Sequence, residues 1–216
     1  MLVPVPSVFI SIEGADGAGK STQAARLVEQ LTAAGARALA VREPGGTPAG
    51  EELRRVLKTG GDISPRTELL MFEAARAEIV ERVIRPALSR GEVVVADRFA
   101  DSSVAYQAYG RGLPAEEVRE LNRFATGGLT PDLTVLLDLP FEAAVARASR
   151  RNGGSKSGRR RFEHEPAEFH RRVVNGYREM AKAEPARWVV VDARRSVDAV
   201  ADEVWSLVKA RLNAGR

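Results

Sequence analysis

Eight residues near the N-terminus, Gly14 to Ser21, have the types and spacing to do chemistry: Gly14, then after four intervening residues Gly19, Lys20 and Ser21. Glycines let a backbone curl so that successive N–H groups converge on the oxygens of an anion. A lysine at the end of such a curl reaches the outer phosphates of a nucleoside triphosphate, and the serine hydroxyl is a hard oxygen ligand for Mg²⁺. The stretch Gly14, Ala15, Asp16, Gly17, Ala18, Gly19, Lys20, Ser21 and Thr22 therefore reads as an ATP cradle. A plain glycine-rich turn would not need the context found here. Val8, Phe9, Ile10 and Ile12 read as a strand leading in, and a helical pattern begins near Gly19, whose N-terminus would add its positive dipole end.

A second constellation is Val93-Val94-Val95-Ala96-Asp97-Arg98. An apolar strand ending in a carboxylate is a means of placing Asp97 near Mg²⁺, directly or through water. Arg98 beside it can grip a phosphate with two donors. A third is Phe72 and Arg76, which at i and i+4 share a helix face. A ring and a planar fork of donors could stack on a base and bond its edge, but spacing alone favours a core phenylalanine and a solvated arginine. A fourth is the run from Arg147 to Arg161. It carries Arg147, Arg150, Arg151, Lys156, Arg159, Arg160 and Arg161, no acid, and interspersed glycine and serine. That composition suits a mobile cationic lid whose closure brings guanidinium groups to a transferring phosphoryl, an effect of roughly 10³–10⁵ in rate. It also suits a solvated loop. No aromatic residue is interleaved to stack bases, which argues against a nucleic-acid patch.

The elements that must position these residues alternate. Strands are expected at about Val8–Glu13, Arg37–Arg42, Glu92–Ala96, Leu133–Leu137 and Arg187–Val191. Helices are expected at Gly19–Ala34, Ala49–Lys58, Ser64–Arg90 with Pro86 bending the last turn, Pro114–Thr126, Pro140–Arg151, Pro166–Lys182 and Ser196–Leu212. Between Asp97 and Gly112 lies a polar, aromatic segment without a clear period. The pattern predicts an α/β fold: a doubly wound, five-stranded parallel sheet flanked by helices, with the ligand at the carboxyl ends of the strands. Residues 1–216 read as one domain, with a short mobile lid at about 147–163.

The chain has no cysteine, which excludes disulfides and thiolate metal sites and fits a reducing cytoplasm. No apolar run reaches membrane-spanning length, and Met1–Ser7 lacks the charged start of a signal peptide. A net charge of +4 suits anionic partners but does not choose among them. His164 and His170 are expected on the surface, and Trp188 and Trp205 in the core.

Taken in order, Glu13-Gly14-Ala15-Asp16-Gly17-Ala18-Gly19-Lys20-Ser21-Thr22, Arg42-Glu43-Pro44-Gly45-Gly46-Thr47, Leu69 to Arg76, Asp97-Arg98-Phe99 through Ser102-Ser103 to Tyr106-Gln107, and Arg161-Phe162-Glu163 resemble bacterial thymidylate kinase over nearly the whole chain. The resemblance implies transfer of the ATP γ-phosphoryl to dTMP, giving dTDP and ADP for dTTP synthesis, with Mg²⁺ on Ser21 and Asp97. It implies a dTMP pocket of Asp16, Glu43, Arg54, Phe72, Arg76, Arg98, Ser103, Tyr106 and Gln107. Phe72 would stack on thymine and Arg76 bond its edge; Arg98 and Arg54 would hold the phosphate; Tyr106 would obstruct a ribose 2′-hydroxyl. Catalysis would fall to Lys20, Arg98, Asp16 and the lid residues Arg151 and Arg161. The family also implies a homodimer. Asp16 would face the acceptor, because a carboxylate is repelled by triphosphate. Phe99 departs from the Tyr or His of many relatives. The partners expected are ATP and dTMP, with no nucleic acid and no membrane. The rival readings are another P-loop nucleoside or nucleotide kinase and a non-enzymatic nucleotide switch or nucleic-acid-binding protein.

Overall fold

The computed structural model describes residues 7–59, 61–151, 162 and 165–214. Five parallel strands, β1 (Phe9–Glu13), β2 (Ala38–Arg42), β3 (Val93–Asp97), β4 (Leu133–Asp138) and β5 (Trp188–Asp192), stand in the order β2-β3-β1-β4-β5. β1 lies at the centre, paired to β3 and β4, and all five of its residues are buried. A strand covered on both faces has no polar side, which is why β3 begins as an unbroken apolar run, Val93 to Ala96, and why Ser11 and Glu13 of β1 are buried along with its apolar residues.

On one face, α1 (Lys20–Ala33) and α9 (Val197–Ala214) pack with Leu27, Leu31, Val204 and Val208 against Ile10, Ile12 and Val135. On the other, α3 (Pro65–Ile79), the turn that follows it and α4 (Arg85–Ser89) bring Ile79, Ile84 and Ala87 onto Phe9, Val94 and Phe99. A third apolar cluster joins Val104, Ala105 and Tyr106 to Phe169, Val173 and Tyr177 of α8 (Ala167–Ala183). The remaining helices are α2 (Pro48–Thr59), α5 (Ala100–Ser103), α6 (Ala115–Thr126) and α7 (Phe141–Arg151). The expected elements are present with ends shifted by a residue or two. No described helix is long and apolar enough to cross a membrane.

Two stretches differ from expectation. The long helix does start at Ser64, whose side chain accepts from the Thr67 N–H with Pro65 in the first turn, but it is interrupted by a π turn at Val80–Ile84. That widening falls just before Pro86, whose ring would crowd the carbonyl four residues back in a regular helix. The segment without a clear period is helical: α5 runs directly into a π-helical stretch, Val104–Gly110. Its apolar residues follow neither 3.6 nor 2, so the periodicity did not reveal it.

Candidate active site

The loop after β1 must change direction within a few residues to reach α1. Gly14 has φ 143°, and a Cβ there would lie 2.7 Å from the Leu137 carbonyl oxygen, so the loop rests on the end of β4. Gly19, with φ 97°, opens α1 in the left-handed region. Both conformations favour glycine.

One cavity, of about 390 Å³, lies over the carboxyl ends of β1, β2 and β3. From the loop, Asp16, Gly17, Gly19, Lys20, Ser21 and Thr22 line it. Gly14, Ala15 and Ala18 stand behind: the Ala15 carbonyl accepts from Lys20 Nζ at 2.8 Å, and Ala18 belongs to the core. From beyond β2 come Glu43 and Arg54, from α3 Phe72, from β3 and after it Asp97, Arg98, Ser103, Tyr106 and Gln107. Residues separated by more than 80 positions in the chain thus share one space.

Arg98 is the centre of this arrangement. It is the one non-glycine residue among those described with positive φ, 74°, a conformation that costs about 1–2 kcal/mol for an L-residue. Its guanidinium holds the residue there through many partners. Nη2 donates to Asp16 Oδ1 at 2.5 Å and the Tyr106 hydroxyl at 3.0 Å. Nη1 donates to the Gly14 carbonyl, Ser102 Oγ and the Tyr177 hydroxyl at 3.1–3.2 Å. Burial would lift the Asp16 pKa, but Arg98 and Lys20 outweigh it and hold the carboxyl at about 2. Lys20 is pushed down to about 8, by burial and by Arg98, against the pull of Asp16, Asp97 and Glu13.

Glu13, fully buried at the end of β1, sits beneath Arg98. Its carboxyl accepts from the Phe99 N–H at 2.7 Å, Ser102 Oγ at 2.7 Å and the Tyr177 hydroxyl at 3.0 Å. Burial and the charge of Asp101 raise its pKa to about 7, against Arg98 and these hydrogen bonds.

Ser21 Oγ is hydrogen-bonded to Asp97 Oδ2. A hydroxyl and a carboxylate side by side are hard oxygen donors of the kind Mg²⁺ takes. Among the described residues no group of three His, Cys, Asp or Glu could enclose an ion, so substrate phosphates and water would complete its shell.

Phe72 is partly buried, lines the cavity, and has its ring 6.1 Å from Phe162, which lines it too. The spacing-based picture of a core phenylalanine and a solvated arginine therefore fails on both counts. Arg76 is 1% exposed. It does not line the cavity but lies behind two residues that do, donating from Nε to Glu43 at 2.8 Å and from Nη1 to Ser103 Oγ at 3.0 Å. Glu73 at 2.6 Å, Asn122 at 2.7 Å and the Phe99 carbonyl complete its partners. Burial, with Glu73 nearby, raises the Glu43 pKa to about 7 despite Arg76. Arg54 lines the cavity and donates to the Pro44 carbonyl at 2.6 Å.

The Arg151 side chain and Arg161 lie outside the described residues, as does most of the expected lid. Arg147 is described, and donates to the Ala193 carbonyl at 2.6 Å. His164 also lies outside. His170 is half-buried rather than on the surface, its ring stacked on Phe141 at 5.2 Å. Trp188 is buried and Trp205 packs partly against the core, as expected. The sequence does not single out Glu13 and Tyr177, which hold Arg98 from behind. Their partners are far away in sequence, and only a charged or hydroxyl group inside an apolar strand, as with Glu13, offered any signal.

A phosphate loop, a strand-end Asp-Arg pair and a parallel sheet with this order define a P-loop kinase of the kind that acts on nucleotides. The thymidylate kinase family model matches residues 12–204. A thymidylate kinase of Synechococcus sp. (strain JA-2-3B'a(2-13)) is 51% identical over 212 residues, covering 97% of this chain and 99% of the relative. Those of Thermomicrobium roseum and Deinococcus radiodurans are 50% and 48% identical, covering 97% and 94% of this chain. The chain belongs to the thymidylate kinase family.

Proposed function

We propose that this protein transfers the γ-phosphoryl of ATP to dTMP, giving ADP and dTDP on the way to dTTP. The observation that carries the reading is that Arg98 bonds both to the phosphate loop, at Gly14 and Asp16, and to Tyr106 in the opposite wall of the same cavity. Donor and acceptor phosphates can thus meet at one guanidinium.

The acceptor is a phosphate whose second pKa is about 6. It is already a nucleophile near neutral pH, so no general base is required, and the work left is positioning and charge stabilisation. Gly14 to Thr22 hold ATP, and Lys20 reaches the transferring group once it leaves the Ala15 carbonyl. Arg98 and Arg54 hold the dTMP phosphate, Asp16 orients Arg98, and Phe72 stacks on the base. Ser103, Tyr106 and Gln107 line the base and sugar pocket, and Arg76 acts on it through Glu43 and Ser103. Tyr106 disfavours a ribose 2′-hydroxyl. Arg151 and Arg161 are assigned to the transferring phosphoryl from the lid.

Ser21 and Asp97 would hold Mg²⁺, which when bound neutralises phosphate charge. A homodimer belongs to the same proposal. Its support is that Phe124 of α6 and Leu70 of α3 are 86% and 55% exposed on two helices packed together. A cytoplasmic location accords with the absence of cysteine.

The deciding experiment is a coupled ADP-release assay with dTMP, dUMP, UMP, AMP and GMP. The reading expects dTMP to give the highest kcat/KM and the purine nucleotides almost none. A preference for AMP or GMP would overturn it.

A further inference from the structure

Behind the cavity wall, Gln107 meets Glu68 of α3, which is completely buried. Gln107 Nε2 donates to Glu68 Oε1 at 3.0 Å. Arg111 fastens the same carboxylate with two bonds, Nε to Oε1 at 3.1 Å and Nη2 to Oε2 at 3.0 Å. Its Nη1 pairs with Glu165 at 2.6 Å, and its guanidinium lies 4.7 Å from the centre of the Phe169 ring.

The two ends of a glutamine amide are nearly the same size, so only their partners decide which way round it sits. Here the partner is a carboxylate gripped by a guanidinium, which can only accept. The Gln107 nitrogen must face Glu68. Its Oε1 has no hydrogen-bond partner among the described residues, and it is the end left to face the cavity that Gln107 lines.

Ser103, four residues earlier and also in the wall, has the inverse polarity. Its oxygen accepts from Arg76 Nη1 at 3.0 Å. A cation cannot accept in return, so the hydroxyl proton is left to donate elsewhere. The wall therefore offers an acceptor and a donor on one helical face, each set by a buried charge.

We propose that Glu68 is a specificity-determining positioning residue: by occupying the Gln107 nitrogen, it makes the cavity wall accept an N–H from the base. This rests on the dTMP reading above. Thymine and uracil present N3–H beside the C4 carbonyl, which matches an acceptor beside a donor. Cytosine presents a bare N3 beside an amino group, which is the reverse. A glutamine free to turn over would serve both; one pinned by Glu68 serves only the first.

The test compares kcat/KM for dTMP and dCMP in the wild type, in Glu68→Gln, in Gln107→Met and in the double variant. Glu68→Gln keeps the shape but can bond either end of Gln107. The expected result is a dTMP-to-dCMP preference reduced about tenfold or more, carried by KM, with the KM for ATP unmoved and no further reduction when Gln107→Met is already present. An unchanged preference, or equal losses on both nucleotides, would overturn the inference, since a purely structural role predicts equal losses. Should Glu68→Gln fail to fold, the wild type decides with N3-methyl-dTMP, which has no N3–H. Strong rejection relative to dTMP supports an acceptor in the wall, and equal use overturns it. Absence of dTMP turnover in the wild type is a separate result, which sinks the functional reading and this inference with it.

Discussion

Arg98 donates from Nη2 to the Asp16 carboxylate at 2.5 Å, tying the residue after β3 to the phosphate loop across 82 positions of sequence. The bond turns Asp16 to Arg98, the arginine of the proposed acceptor site. Asp16→Ala leaves Arg98 without its closest anion. We expect kcat/KM for dTMP to fall by on the order of tenfold to a hundredfold, as one charge-assisted bond of about 1.5–3 kcal/mol is lost. The KM for ATP should change little. Steady-state kinetics with each nucleotide varied in turn checks this, and a larger loss toward ATP would assign Asp16 to the donor side instead.

Lys20 is buried and bonded to the Ala15 carbonyl. Removing it deletes a desolvated cation and one hydrogen bond, so the fold should survive. Lys20→Ala is expected to lower kcat by on the order of 10³-fold or more, with a thermal melt close to wild type. Near-normal turnover in a folded variant would sink the assignment of the loop.

These two residues also mark how far the sequence could be read. The loop around Lys20 was legible because all its parts are local: strand, glycines, lysine and helix lie within fifteen or so positions, and their spacing is set by the size of a phosphate. The strand order was not, because it depends on which apolar runs pair. Arg98 was found as a strand-end residue, but its strained backbone was invisible. That strain is held by Asp16, Gly14 and Tyr177, the last 79 positions away. Glu13 and Tyr177 meet across 164 positions and Glu68 and Arg111 across 43. Buried polar pairs of this kind follow from tertiary packing, and no local period encodes them. The resemblance implies Arg76 at the base edge; its pairing with Glu43 and Glu73 is a further product of tertiary packing.

Arg76 also supports the pocket. It is clamped between Glu43 at 2.8 Å and Glu73 at 2.6 Å with almost no exposure. Arg76→Ala leaves two buried carboxylates without their cation, a loss of about 3–5 kcal/mol. Chemical denaturation should show this as a lower midpoint at unchanged slope. A variant as stable as wild type, with only a raised KM for dTMP, would restore a purely recognitional role.

Phe124 presents an aromatic ring to solvent with 86% of its surface exposed. If α6 and α3 form the face between subunits, Phe124→Glu places a charge in an apolar contact and should yield monomers. Light scattering after size exclusion reads the outcome directly. A wild type that is monomeric at micromolar concentration would remove the homodimer from the proposal.

Glu13 makes stability depend on pH in an unusual sense. Its pKa is raised from 4.5 to about 7, first by burial and then by Asp101. Below about pH 4.5 the carboxyl is protonated in both folded and unfolded chains and contributes no pH dependence. Between about 4.5 and 7 the unfolded chain loses its proton while the folded one keeps it, so the unfolded state binds fewer protons and this group's contribution to stability falls as pH rises. The full change is about 3 kcal/mol for a shift of this size. Glu13→Gln keeps a neutral side chain at every pH, and Ser102 and Tyr177 carry hydroxyls that can turn to accept from its amide. The variant should match wild type most closely near pH 5 and gain relative to it by pH 8. Paired thermal melts at those two values measure the gain. A difference in melting temperature that does not move with pH would show that Glu13 is already ionised across the whole range.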